Sequence, residues 1–290
     1  MDSKVCAHRR RCRRTRLKSL MEKYRLKTGL REQTILKDVF FTPPFNLVEV
    51  RENKKNPLLE VMVMSSSPGM LNDDVYDIHI DVINHSQLNL QTQSYQRIYV
   101  SKNGTKQRMQ VDVGEGAYFS HVPHPMVPHA GAIYFAENTL ALTKSSTLLW
   151  GEILTCGRKW MEKGEQFTFK KHHTITTIRV EGKTIFKDNL FLLPAALDIT
   201  EMGQYEGFTH QGSLFFIAPE GDIKKKMDDI HDRLASEADI DFGISLIREN
   251  AYVLRVLGNS GERLFRIFDQ IRKEEDENIN RITKASCLQN

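Results

Sequence analysis

Apolar and polar residues alternate with a period of two along most of the chain up to about residue 218. In the segment YDIHIDVI, Ile78, Ile80 and Val82 fall on one side, and acidic or histidine side chains fall on the other. This alternation is typical of β-strands with one buried face. Similar segments follow, separated by polar turns. They are QLNLQTQSYQRIYV, RMQVDV, GAYFSHV, GAIYFAENTLALT, STLLWGEILTC, QFTFKKHHTITTIRVEGKTIF and SLFFIAP. The pattern predicts a mostly β protein.

A regular spacing runs through these segments. Val82, Val111 and Leu140 are equally spaced along the chain, and each begins a similar phrase of alternating apolar positions, a polar turn and further alternation. Equal spacing of strand pairs predicts stacked coils, a solenoid-like β architecture in which each turn buries the next. Stacked β-sheets of a sandwich with regular turns predict the same phrases. Both arrangements remain open from these residues.

The pattern changes in the C-terminal quarter of the chain, where the apolar period becomes helical. In EGDIKKKMDDIHDRLAS, one helical stripe is formed by Ile223, Met227, Ile230 and Leu234. The next segment, DIDFGISLIRENAYVLRVLG, predicts a hairpin that turns at residues 248–250.

A second amphipathic helix is predicted in SGERLFRIFDQIRKEEDENINRI, with Ser260 as its N-cap. Its inward residues are Leu264, Phe265, Phe268 and Ile271. Together with the strand SLFFIAP, residues from about 212 to 282 form the order β-α-β-β-α. Two amphipathic helices that cover a face or an end of a sheet give an α+β C-terminal portion.

Charge is distributed unevenly along the chain. The formal net charge is +4, but residues 1–27 hold 11 Lys or Arg and 2 Asp or Glu, so residues 28–290 carry a net charge of −5. We predict a disordered basic leader over 1–27 and a β-rich folded domain over 28–290. Nucleic-acid binding through the leader is an alternative function. Its arginines have no interleaved aromatic residues for base stacking, so we expect no nucleic-acid partner.

The cysteines and the apolar runs predict a cytoplasmic protein. Cys6, Cys12, Cys156 and Cys287 lie far apart and form no C-x-x-C pair, which fits neither a disulfide framework nor a structural zinc site. A reducing compartment is therefore expected. No apolar run approaches the ~20 residues that cross a bilayer, and the leader lacks the apolar stretch of a secretory signal.

Sequence motifs of common enzymes are missing from the chain. It contains no G-x-x-x-x-G-K-[ST] loop, no G-x-G-x-x-G after a strand, no G-x-S-x-G elbow and no H-E-x-x-H. Glu152 is the one charged residue in LLWGEILTCG. The alternation favours a position on the solvent face of a strand, whereas a buried carboxylate at this position would need a partner or a role.

Five histidines are candidates for metal binding. His121, His124 and His129 lie in HVPHPMVPHA, where three prolines prevent a helix that would bring them together and argue against a central strand. A kinked connection between two strands is the simplest structure, and a metal-dependent β-fold enzyme using the 121–129 histidines is the alternative. His172 and His173 are predicted to point to opposite faces of a strand, both solvated.

The order of several phrases along residues 26–272 resembles the urease accessory protein D family, called H in some bacteria. The phrases are FFTPPF, SSSPGMLNDD, LQTQSYQRIY, GAYFSHVPHPMVPHAGAIYFAENT, STLLWGEILTCGR with KGEQFTF, and GKTIFKDNLFLLP. The resemblance implies a mostly β scaffold without catalytic activity and with helices near the C-terminus. It also implies binding to the urease F-type accessory protein and through it to a G-type GTPase, an assembly that docks on apo-urease and helps to insert nickel.

The family phrases can be placed on this sequence residue by residue. The matching positions are Pro43, Pro44, Phe45, Pro68, Gly69, Asp74, Gln93, Gly151, Glu152, Gly157 and Arg158. Asp73 stands where the family usually has glycine before the aspartate, which predicts a reshaped turn. We expect no permanently bound cofactor. A transient nickel path would involve Asp74, Glu152, His124 and His129, because nickel accepts nitrogen and oxygen ligands and handover requires few of them.

Overall fold

The computed structural model describes residues 21–71, 73–161 and 164–288, with the backbone alone for 282–288. These ranges form 17 strands and two helices. The first strands are β1 (Met21–Leu30), β2 (Thr34–Phe41), β3 (Phe45–Glu49), β4 (Leu59–Ser65), β5 (Val75–Val82), β6 (Gln87–Thr92) and β7 (Gln96–Ile98). They are followed by β8 (Thr105–Val113), β9 (Tyr118–His121), β10 (Met126–Pro128), β11 (Ile133–Leu142), β12 (Thr147–Thr155), β13 (Lys171–Val180) and β14 (Lys183–Leu192). The last elements are β15 (His210–Ile217), α1 (Ile223–Ala235), β16 (Ile240–Arg248), β17 (Ala251–Gly258) and α2 (Gly261–Leu288).

The strands form two sheets. The first has the order β14-β13-β11-β8-β5-β1-β2, parallel from β13 to β1 and antiparallel at both edges. The second has the order β16-β17-β15-β12-β9-β6-β4-β3, parallel from β12 to β4. The short strand β10 pairs with β7 and β12. The predicted mostly β fold with two C-terminal helices is confirmed.

The centre of the molecule is a short solenoid. Three consecutive strand pairs, β5–β6, β8–β9 and β11–β12, each place one strand in the first sheet and one in the second, parallel to the preceding pair. The register aligns Val111 with both Ile80 and Leu140. The equal spacing seen in the sequence therefore holds between the second and third coils. The first coil is slightly longer than the second, so Val82 pairs with Val113 and not with Val111.

The main hydrophobic core lies between the two sheets. Ile78, Ile80 and Val82 of β5 are buried there, as their alternation predicts, and Leu88 and Leu90 of β6 are buried in the same core. Full burial of such an aliphatic side chain contributes roughly 1.5–3 kcal/mol. Because each coil adds inward residues to both sheets, neighbouring coils stabilise one another.

The C-terminal part follows the predicted order β15, α1, β16, β17 and α2, and the hairpin turns between β16 and β17 as predicted. The Asp222 side chain caps α1 by accepting a hydrogen bond from the backbone N–H of Lys225 at 3.0 Å. Ser260 caps α2 in the same way, with the N–H of Arg263 at 3.3 Å. Each cap satisfies a backbone donor that has no partner inside the helix.

Both helices pack on the outer face of the second sheet. The predicted inward residues form a second apolar cluster there, with Ile223, Ile230, Leu234, Leu264, Phe268 and Ile271 buried and Met227 and Phe265 partly buried. A Cβ on Gly212 of β15 would lie 2.7 Å from the Phe268 ring, so only glycine allows α2 to approach this closely. The second sheet is therefore covered on both faces.

The predicted boundary of the leader is wrong at its C-terminal end. Residues 1–20 lie outside the described residues, but residues 21–27 belong to β1, which pairs with β5. Tyr24 and Leu26 are buried in the main core. The basic residues that alternate with them occupy the other face of the strand, namely Lys23, Arg25 and Lys27. The leader interpretation counted those basic residues as part of a charge run, although they alternate with apolar ones.

Of the four cysteines, only Cys156 lies within the described side chains. Its thiol is free and buried, and burial raises its pKa. Cys6, Cys12 and Cys287 fall outside the described side chains. Among the described residues, neither helix combines the length and apolar character needed to cross a membrane.

Candidate functional site

A polar cavity of about 150 Å³ lies between the two sheets. Its walls come from strands of both sheets and from the loop after β9. Polar lining residues are Thr92, Gln96, Gln107, His121, His124, Asn138, Glu152, His172, Thr174, Asp188, Gln211 and Ser213. Because cores exclude unpaired polar groups, such a concentration inside a sheet interface indicates a site or a path and not simple packing.

Glu152 is the central carboxylate of this cavity. Its Oε1 atom accepts hydrogen bonds from Asn138 Nδ2 at 3.1 Å, Trp150 Nε1 at 2.9 Å and Thr176 Oγ1 at 2.5 Å. No hydrogen bond reaches Oε2 from any described residue. Burial raises the pKa of Glu152, and the three donors oppose the rise. One oxygen is thus fixed by three donors, and the other remains available to a ligand.

The expectation that Glu152 occupies the solvent face of its strand is wrong. On β12, Leu148, Trp150 and Leu154 point into the main core, and Glu152 shares their side of the strand. The opposite side, which carries Leu149, is covered by the helices. Both faces of β12 are therefore buried, so alternation along the strand could not identify a solvent side.

His121 and His172 are the two buried histidines among the three that line the cavity. His121 donates from Nδ1 to the carbonyl oxygen of Leu90 at 2.8 Å, and its ring contacts Trp150 at a centroid distance of 5.1 Å. Burial lowers the pKa of His121 to about 4 and that of His172 to about 3. Both rings are neutral at pH 7, and in His121 the lone pair lies on Nε2 because Nδ1 carries the proton.

His172 and His173 point to opposite faces of β13, as predicted, but His172 is not solvated. It is 3% exposed, stacks on Tyr134 at 5.3 Å and bonds Thr174 Oγ1 at 3.1 Å. His173 lies on the outer face, where Nε2 bonds Asn189 at 2.8 Å. The polar face of the first sheet points outward. His172 is a polar residue on the inward face, where it borders the cavity.

A cleft of about 890 Å³ adjoins the cavity. The two share four lining residues, Phe45, Val63, Thr92 and Gln96. Six of the family-motif positions line the cleft: Phe45, Pro68, Gly69, Gln93, Gly157 and Arg158. Two more, Gly151 and Glu152, line the cavity. Pro43 and Pro44 lie between β2 and β3, where the chain crosses from the first sheet to the second.

Two glycines of the cleft are required by close backbone approach. Gly157 has φ +115°, and a Cβ there would lie 2.4 Å from the carbonyl oxygen of Glu165. A Cβ on Gly69 would lie 2.4 Å from the carbonyl oxygen of Arg97. Next to Gly157, Arg158 forms an ion pair with Glu165, with Nε 2.7 Å from Oε2. These contacts hold the cleft wall in place.

The four residues predicted for a nickel path do not form one cluster. Glu152 and His124 line the cavity, and His129 lines the cleft. Asp74 lines neither of them: its carboxylate accepts a hydrogen bond from the backbone N–H of Leu71 at 2.6 Å. Asp74 also helps burial to raise the pKa of Glu22 to about 7. Thus two of the four residues border the same space.

Asp73, directly before Asp74, has φ +66°, in the left-handed region that glycine adopts most readily. Aspartate tolerates this conformation better than most residues. The reshaping of this turn relative to the family stays a prediction.

The three histidines of HVPHPMVPHA have different surroundings. His121 ends β9 inside the sheet interface, whereas His124 bonds Thr92 at 3.0 Å and stacks on Phe265 of α2 at 4.2 Å. His129 stacks near Tyr99 at 4.4 Å beside the cleft. No group of three or more His, Cys, Asp or Glu that could hold a metal occurs in the described part of the chain. The predicted kink between strands is confirmed, with the short strand β10 inside it.

Several residues in or beside the cavity were not found from the sequence. Asn138, Thr176 and Asp188 each lie on a strand among alternating residues. The sequence could have indicated that Asn138 is buried, because in GAIYFAENTLALT it lies on the same side of the strand as three core residues, Tyr134, Ala136 and Leu140. A polar residue at an inward position indicates a buried partner, here Glu152.

The fold and the cavity define a β-rich protein of two stacked mixed sheets, a short solenoid whose hydrophobic core contains a partly polar cavity, with a helix-covered face. The chain belongs to the urease accessory protein UreD family, whose sequence model matches residues 22–284. A UreD protein of Flavobacterium johnsoniae is 41% identical over 257 residues, covering 88% of this chain and 92% of that protein. A UreD protein of Acetivibrio thermocellus is 33% identical, covering 83% and 91%. A UreH protein of Helicobacter acinonychis is 30% identical, covering 89% and 97%. Membership supports a role in urease maturation.

Proposed function

We propose that this chain is a non-catalytic scaffold for the insertion of nickel into apo-urease. It acts in the cytoplasm, in a complex with an F-type accessory protein and a G-type GTPase. The family assignment supports the role in urease maturation. GTP hydrolysis belongs to the G-type partner, which agrees with the absence of a phosphate-binding loop motif from this sequence.

The observation that carries the nickel role is the free Oε2 atom of Glu152 at the wall of the polar cavity. Nickel is the cargo here and not a resident cofactor. A carboxylate oxygen and the Nε2 lone pair of neutral His121 are ligand types that nickel accepts. The hydrogen bond from Nδ1 to Leu90 orients His121 in the way that outer partners orient metal-binding histidines.

Weak coordination suits a cargo that must leave again. A closed set of four ligands would retain the ion, whereas a few ligands spaced along a path permit transfer. His129 in the cleft offers one contact, and His124 and Glu152 in the cavity offer two more. His124 is hydrogen-bonded to Thr92, which lines both spaces. Asp74 lies near Glu22 and lines neither the cleft nor the cavity, so it would contact nickel outside this sequence of residues.

Co-expression with urease and the F-type and G-type proteins provides the test. We expect urease purified without this chain to contain little nickel and to have little activity, measured by elemental analysis and ammonia release. Glu152→Gln should lower the nickel content while the chain still folds, checked by circular dichroism. Glu277→Gln, an exposed residue of α2, is the matched control and should load urease normally.

Two results would count against the proposal. If urease is fully nickel-loaded and active without this chain, the scaffold function is wrong. If the chain is needed but Glu152→Gln loads urease as well as Glu277→Gln does, the scaffold function stands and the role of Glu152 is wrong.

A further inference from the structure

The cleft beside the cavity has a positive wall. Arg97, Arg158 and Lys159 line it, and Glu262 is the single acidic residue among the described lining residues. Arg158 is neutralised by Glu165. The side chains of Arg97 and Lys159 form no ion pair with any described residue. Among the described residues, these two cations therefore have no ion-pair partner in a concave site.

The positive charges of the cleft also lower the pKa values of two neighbouring histidines. Burial lowers the pKa of His129, Arg158 and Arg97 lower it further, and Glu165 opposes them. Burial lowers the pKa of His210 to about 4, with a contribution from Lys159. Both histidines line the cleft, and His129 is 7% exposed with its Nε2 atom lacking a hydrogen-bond partner. The cleft thus disfavours further positive charge and contains an unpaired polar atom.

The beginning of α2 adds to the field. Ser260, Gly261 and Glu262 line the cleft, so the first turn of a 28-residue helix is part of its wall. The N-terminal end of a helix carries a partial positive charge and backbone N–H groups without helical partners. Together with Arg97 and Lys159, this end provides three positive elements around one space.

The rim presents an exposed aromatic side chain. Trp160 is 91% exposed, and the Lys159 ammonium lies 5.6 Å from its ring centroid. The adjacent Met161 is also exposed. Large apolar groups of this kind at the edge of a cleft mark an interaction surface, and tryptophan is a frequent anchor in such surfaces.

We propose that this cleft binds an acidic peptide segment of a partner protein, with two or three carboxylates in the cleft and an apolar side chain against Trp160. The volume of about 890 Å³ lies within the range of roughly 300–1,000 Å³ typical of ligand sites and exceeds what one oxyanion fills. Nucleic acid is disfavoured because the described lining offers two unpaired cations and one exposed tryptophan, too few for a run of phosphates and stacked bases. The proposal does not depend on the nickel path.

Trp160 provides a built-in reporter, because the chain has two tryptophans and Trp150 is buried. The purified chain is titrated with the blocked peptide acetyl-Glu-Glu-Leu-Glu-Glu-amide and with its glutamine counterpart, and tryptophan emission is followed at low and high salt. We expect a saturable change with the acidic peptide only, weakened by salt. Trp160→Phe should remove the change.

Charge variants locate the binding site. Arg97→Gln and Lys159→Gln should each weaken binding roughly fivefold, the upper range for a partly exposed charge pair. Arg108→Gln removes the same charge from the exposed outer face of the first sheet and should bind like the wild type.

Four outcomes would overturn the proposal. The first is no saturation below about 1 mM peptide, and the second is equal binding of both peptides. The third is binding by Arg97→Gln and Lys159→Gln that matches Arg108→Gln. Inorganic phosphate is titrated in parallel: if it gives the same emission change with the same variant effects, the site takes a free oxyanion and the peptide proposal is wrong.

Discussion

Asp276 and Glu152 are two carboxylates in the interior of this molecule, and they differ in how many of their oxygens accept hydrogen bonds. Asp276 of α2 uses both oxygens: Oδ1 accepts from Tyr118 at 2.7 Å and Ser120 at 3.0 Å, and Oδ2 accepts from Asn89 at 3.1 Å and from Arg272. Glu152 is bonded through Oε1 alone and has no cationic partner among the described residues. Both oxygens of Asp276 therefore accept hydrogen bonds, whereas Oε2 of Glu152 accepts none from a described residue.

The difference separates a structural role from a functional one. Asp276 lies between the second sheet and α2, where its bonds to β6 and β9 attach the helix to the coils. Burial raises its pKa to about 6, against the opposing effects of Arg272 and the two hydroxyl donors. Glu152 lies beside a cavity and retains a free oxygen. Burial raises the pKa of Glu152 and no described cation pairs with it, so a cationic ligand would favour its ionised form.

The largest effect is expected from Asp276→Ala. The substitution removes the buried partner of the Arg272 guanidinium, which is 7% exposed and keeps only its pair with Asp269. It also leaves the buried donors on Asn89, Tyr118 and Ser120 without their acceptor. Breaking a buried pair on one side costs about 3–5 kcal/mol. Urea unfolding at pH 7.5, where Asp276 is ionised, measures the loss in the free energy of unfolding.

The control for this prediction is Glu277→Ala on the same helix. Glu277 is exposed, and its pair with Arg281 is a surface pair, so the change should stay within about 0.5 kcal/mol. Equal losses for the two variants would mean that Asp276 does not attach the helix.

A smaller effect is expected when one donor is removed from each carboxylate. Tyr118→Phe removes a hydrogen bond to Asp276 in a packed interface and should cost about 1.5–3 kcal/mol. Thr176→Val removes the hydroxyl donor of Glu152 with little change in shape, and water in the cavity can replace it, so the cost should be below about 1 kcal/mol. Urea unfolding of both variants tests the difference, and a reversed order would show that the Glu152 site is closed to water.

The sequence predicted much of the fold because the signals are local. Alternation identified the strands, and the caps Asp222 and Ser260 with their apolar stripes identified the helices. The equal spacing of the coils indicated parallel stacking. The first coil is longer than the second, so Val111 pairs with Ile80 and not with Val82. Family phrases added the positions that line the cleft, such as Gly69 and Gly157.

The site was harder to predict because it depends on which strands face each other. Glu152 meets Asn138 and Thr176 from the opposite sheet, at sequence separations of 14 and 24 residues. Period-two alternation assigns a side chain to one of two faces but does not say that both faces are covered. For the same reason His172 was placed in solvent, although it stacks on Tyr134 inside the molecule.

The smallest effect on stability is expected from Glu152→Gln, and its sign depends on pH. Burial raises the folded pKa of Glu152 above its ordinary value of 4.5, so the fold favours the protonated carboxyl. That stabilisation is fully present below pH 4.5 and is lost as pH rises through the raised pKa. Glutamine remains neutral throughout. The variant should match the wild type near pH 4.5 and should be the more stable protein at pH 7.5.

Urea midpoints at the two pH values measure this difference, and Glu277→Gln shows the background expected for an exposed carboxylate. A wild type that gains stability over Glu152→Gln as pH rises would mean that the ionised carboxylate already has sufficient partners. Glu152 would then resemble Asp276, as a saturated structural group. The predicted direction instead means that the fold disfavours the ionised carboxylate, a cost that a bound cation would relieve.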